Sequence, residues 1–212
     1  MPLPRPATPA PRSDEWWFPP WSIQTKVWPT TRGRGVTVAV VDTGVRPLPE
    51  IARALLPGGD TTGHGTDGER RRPRHPIMFP ASCPGVLAVG ATDDHSRPWK
   101  STESNEYVSV AAPGVDIPVA SKSEKYSYPH SSGTSDATAL VSGAAALVRA
   151  ANPAMSAREV VRRLIGTALD VDTPGKDDLT GYGIVRINRA MHPDAYPVPP
   201  GSPNPPYERF DQ

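Results

Sequence analysis

Apolar positions along the 212-residue chain fall into short runs closed by Gly, Pro or Asp, and late in the chain into two stretches at helical spacing. Val36-Thr37-Val38-Ala39-Val40-Val41 is β-branched and nearly all apolar, with Gly35 before it and Asp42-Thr43-Gly44 after it. This predicts a strand over 36–41, buried on both faces and central in a parallel sheet. Runs 86–91 and 107–112 read as two further strands. Residues 135–151 predict a helix: the stretch is Ala-rich, is introduced by Ser132-Gly133-Thr134, and stops before Pro153. Ser156-Ala157-Arg158-Glu159 is a capping box, after which Val160, Val161, Leu164, Ile165 and Ala168 share one face of a second helix. Early strands and late paired helices indicate an α/β layered domain.

Proline changes this picture at both ends. Seven of the 28 prolines lie in 1–20 and seven in 193–212. Segments so poor in backbone donors favour extended chain, so 1–20 and 193–212 read as tails around a globular part at 21–192. Trp16, Trp17, Phe18 and Trp21 read either as a patch for a partner or as aromatics tucked onto the neighbouring domain. Hydrophobic residues, 37% of the chain, suffice for one core and not for two. A formal charge of +1 gives no footprint of a nucleic-acid or membrane-surface binder. The lone Cys83 excludes an intramolecular disulfide and a cysteine-built zinc site. No apolar run approaches the ~20 residues of a membrane span, and the first residues lack the apolar stretch of an export signal.

Three short motifs carry candidate chemistry. Asp42 follows the run 36–41, at the carboxyl end of the predicted strand, where catalytic groups collect in open α/β sheets. Alone it also reads as a turn residue, or as half of an aspartic-protease pair. In Gly63-His64-Gly65-Thr66, flanking glycines leave an imidazole accessible as a general base; the plainer reading is an exposed loop histidine. Ser131-Ser132-Gly133-Thr134-Ser135 opens onto the long helix, where free backbone N–H groups stabilise developing oxyanion charge. Its plainer reading is an ordinary N-cap. His75, His95, His130 and His192 lack comparable settings.

The order Asp42, His64, Ser135 is the order of the subtilisin triad. Together with Gly58-Gly59-Asp60, Phe79-Pro80-Ala81-Ser82, Val86 to Ala91, Ala111-Ala112-Pro113-Gly114, Ser142 to Arg149 and Gly181-Tyr182-Gly183, it resembles the subtilisin-like serine proteases. Within them it looks like the mycosin-type actinobacterial secreted subtilases. The resemblance implies a three-layer α/β domain with a parallel sheet, and hydrolysis of an extended polypeptide through an acyl-enzyme. Ser135 would be the nucleophile, His64 the base and then the acid, and Asp42 the carboxylate orienting the imidazole. It further implies that Gly143 lets the serine helix be closely packed. Export is implied as well, with a cytoplasmic location as the alternative because no signal is read. Calcium enters only through the resemblance; Asp93-Asp94 and Asp177-Asp178 lack the alternating ligands of a calcium loop. A monomer is expected, with no nucleic acid, no membrane segment and no other cofactor.

The interval from Asp42 to His64 is 22 residues, and from His64 to Ser135 only 71. The second is short of the family pattern, in which central strand and helix units carry the oxyanion Asn and the wall of the specificity pocket. Neither Asn105, Asn152, Asn188 nor Asn204 stands in the expected setting, so no side-chain oxyanion donor is nominated. Asp67-Gly68-Glu69-Arg70-Arg71-Arg72-Pro73 replaces the apolar residues expected after the histidine and reads as an exposed loop. A catalytically impaired pseudoprotease or interaction protein is therefore the alternative function.

Overall fold

Two parallel strands and one long helix organise the molecule. The computed structural model describes residues 11–38, 80–102, 104–120 and 128–208. β1 (Ala88–Thr92) pairs in parallel with β2 (Val108–Pro113). All six residues of β2 are buried, as expected of a strand covered on both faces. Its far edge is extended by the 182–185 segment: Tyr182 N–H donates to Ser109 O at 2.9 Å, and Val185 N–H to Ala111 O at 2.9 Å. Gly181, at φ +63°, makes this approach possible, because a Cβ there would run into the backbone of Ser109. A short antiparallel pair, β3 (Ile117–Pro118) and β4 (His130–Ser131), leads into helix α1 (Thr134–Ala151).

α1 lies on β1 and β2 through Ala137, Val141, Ala144 and Val148. Its small residues allow close approach to the sheet. The serine half of the predicted capping box forms at α2 (Ala157–Gly166), where the amide of Glu159 donates to Ser156 Oγ at 3.2 Å. Val160, Leu164 and Ile165 are buried as the spacing requires. Arg163, on the same helix, is also buried, and its guanidinium donates to the carbonyls of Ala190, Arg189 and Tyr196 at 3.0, 2.7 and 2.7 Å. Burial lowers its pKa, but three carbonyl acceptors keep the cation satisfied. α3 (Ile187–Met191) and α4 (Pro205–Glu208) complete the chain order.

The described parts of the proline-rich ends do not stand outside the core. Trp17 and Trp21 are buried within it, and a π-helical turn, Ile23–Val27, packs on α3. At the other end Val198 lies against Gly166, and Asn204 donates to Arg158 O at 3.0 Å. Proline removes donors without preventing burial, and the tryptophans make docking favourable. The boundaries expected at 20 and 192 therefore fall inside packed structure. The expected strand over 36–41 is described only at 36–38, which pair with no described strand; Val36 N–H closes a turn on Gly33 O and Val38 is 46% exposed. No described strand flanks these residues to take up their backbone groups. The rest of that run, together with Asp42, His64 and the Arg-rich segment, lies outside the described residues.

Candidate active site

Ser135 is the second residue of α1 and is exposed at the helix start. The N-cap is Gly133, in extended conformation and with no side-chain cap, so the plainer reading of Ser135 as a capping serine does not apply. Gly133 is drawn down by its own amide, which donates to Gly114 O at 2.7 Å. A Cβ on Gly114 would sit 2.7 Å from Ala91 Cβ and 2.8 Å from Gly133 O. The glycine that ends the Ala111-Ala112-Pro113-Gly114 motif thus lets the end of β2 touch the start of the serine helix.

Among the described residues, the Ser135 hydroxyl and the amides of Thr134, Ser135 and Asp136 have no hydrogen-bond partner. The amide of Ala137 returns to Gly133 O at 3.3 Å. An exposed hydroxyl therefore stands beside unpaired N–H donors at the positive end of an 18-residue helix. Asp136 shares the first turn, and its carboxylate accepts from Ser131 Oγ at 2.9 Å. That bond turns the acid back toward the preceding loop, where Oδ2 comes 3.4 Å from the position of a Cβ on Gly133.

Three of the four asparagines that were not nominated have structural partners through their side chains. Asn152 donates to Val148 O and Met191 O, Asn105 shapes the turn before β2, and Asn204 holds α2. In each acid pair the first member shapes a turn while the second, Asp94 or Asp178, is exposed. Asp177 accepts from the amides of Leu179 and Thr180, and Asp93 from Arg97 and the amides of His95 and Arg97. Asp93, Asp94 and His95 could bring ligand atoms within 4.8 Å of one another, but Asp93 is already committed to Arg97. No described residue comes within 4 Å of a Cβ on Gly143, so the close packing expected there is not found among the described residues. Sequence reasoning passed over His130, which lies between Asp116 and Asp14. No local signal marks that arrangement, since one partner is more than a hundred residues away.

The subtilase family, Peptidase S8, matches residues 62–183, more than half of the chain, a span that includes His64 and Ser135 but not Asp42. Mycosin-5 of Mycobacterium tuberculosis is 38% identical over 132 residues, covering 57% of this chain and 22% of that protein. Subtilisin BL of Lederbergia lenta is 35% identical over 114 residues, 54% of this chain and 40% of that protein. The crystal structure of MycP1 from Mycobacterium smegmatis aligns with a TM-score of 0.51 at 28% identity, over 60% of this chain and 34% of that one. The α/β architecture is thus subtilisin-like, and the chain spans less than half the length of these relatives.

Proposed function

The chain belongs to the subtilase family, and on that premise we propose that it is a serine endopeptidase acting through Ser135, His64 and Asp42. The observation that carries this reading is the placement of Ser135: exposed, at the start of α1, beside first-turn amides with no partner among the described residues. In the proposed reaction the imidazole of His64 takes the Ser135 proton as Oγ adds to the scissile carbonyl. The first-turn amides donate to the resulting oxyanion. Collapse breaks the C–N bond and passes the proton to the leaving amine, and water then hydrolyses the ester. Asp42 holds the imidazole in the tautomer that allows this. The substrate is an extended polypeptide and the acting species a monomer, exported as the resemblance implies. Calcium is proposed on the resemblance alone.

A fluorophosphonate probe tests the assignment. The folded protein should label at one site, with labelling abolished in Ser135→Ala and slowed about 10⁴-fold or more in His64→Ala. Folded protein that does not label, or labels equally in Ser135→Ala, would overturn it. The short interval of 71 residues between His64 and Ser135 favours a second reading, an impaired relative that works by binding. Capture of a peptide unaffected by substitution of Asp42, His64 and Ser135 would select that one.

A further inference from the structure

We propose that residues 12–16 form a strap over the loop that leads into α1, closed by a doubly protonated His130 and released as the medium turns alkaline. His130 lies in β4, just before that loop. Its Nδ1 is 2.7 Å from Asp116 Oδ1 and its Nε2 is 3.4 Å from Asp14 Oδ2. A neutral imidazole has one donor, so it can satisfy one of two carboxylates and must turn a lone pair toward the other. Only the imidazolium suits both sides, and the longer contact, to Asp14, is the one that yields first.

The rest of the strap converges on the same place. Arg12 donates to both Asp14 oxygens at 3.1 and 2.8 Å, and its guanidinium lies 4.0 Å from the centre of the Tyr128 ring. Trp16 Nε1–H donates to Val115 O at 3.3 Å. The amide of Asp116 donates to Ser132 Oγ at 3.0 Å, which joins the strap's footing to the residues before Ser135. The described charged groups facing His130 are Asp14 from the strap and Asp116 from the turn before β3; Arg12 lies behind Asp14, with Glu15 and the Tyr128 ring against it, and Asp136 lies beyond Ser131. With His130 neutral, Arg12 is left facing Asp14 and Glu15, and Asp116 loses the cation beside it.

The direction in pH follows. The hydrogen bond to Asp116 raises the His130 pKa above its ordinary value, burial opposes this, and Asp14 adds to it. The contact is therefore fully present below about pH 6.5 and is lost as pH rises through the raised value. Arg12 lowers the Asp14 pKa, so that carboxylate stays charged until strongly acid conditions.

Exchange of the Trp16 indole N–H and the Asp116 amide, corrected for intrinsic rates, reads strap closure without any turnover and separately from the catalytic assignment. Between pH 6 and pH 9 we expect protection in the native chain to fall at least threefold, with the midpoint of the His130 ring titration. The fall should vanish in His130→Gln and in Asp14→Asn, with α1 amides still protected as the fold control. Should His130→Gln not fold, Asp14→Asn and the native titration decide. An equal fall in the variants, or constant Trp16 protection while His130 titrates, would overturn the proposal.

Discussion

α1 and α2 are neighbours with opposite designs. α2 divides sharply: Val160, Leu164 and Ile165 go inward while Ala157 and Arg158 stay in water. α1 is built of small residues nearly all round, yet it buries only one face. Ala137, Val141, Ala144 and Val148 meet the sheet, whereas Thr138, Ala139 and Gly143 are exposed. Thr138 and Ser142 donate their hydroxyls to carbonyls one turn back, at 2.7 and 2.8 Å, which leaves that face with little to offer water. A helix with only Asp136 and Arg149 charged among 18 residues is ordinarily enclosed on more than one face. α2 is matched to its surroundings in this chain, and α1 has the composition of a more deeply buried element.

Three substitutions sharpen the contrast. Leu164→Ala on the fully buried face of α2 should cost about 2–5 kcal/mol, seen as a lower midpoint in urea unfolding with the slope unchanged. Ser156→Ala removes the cap on the Glu159 amide and should cost about 1 kcal/mol by the same measurement. Gly143→Ala on the outer face of α1 should act in the opposite sense, stabilising by about 0.5–1 kcal/mol through helix propensity. A loss at Gly143 would mean that a closely packed neighbour covers the face, and the contrast between the helices would then fail.

Where the chemistry is local, the sequence was readable. Both helices and the strands now assigned at Ala88–Thr92 and Val108–Pro113 follow from apolar spacing and from Pro or Gly stops within a few residues. The cap at Ser156 was visible because its partner is three residues away. The start of α1 was readable from Ser132-Gly133-Thr134, but whether Ser135 caps it was not, because a serine within a residue or two of a helix start suits either position. The strap was not legible. Proline content pointed to an extended tail, while its docking depends on Val115, Asp116, Tyr128 and His130, contributed by a segment far along the chain. Arg163 was hidden for the same reason: a basic residue on a helix reads as solvent-facing until the carbonyls of 189, 190 and 196 are seen to surround it.

The Arg163 arrangement sets a practical boundary for anyone preparing shorter forms of the protein. Cutting after residue 192 would remove the Tyr196 carbonyl, stranding one edge of an enclosed guanidinium, and the Val198 side chain that lies against Gly166. Unanswered donors of that kind cost about 1–3 kcal/mol each, more when charged. The last proline-rich stretch is thus a poor place to trim, and α2 is the element expected to loosen first if it is lost.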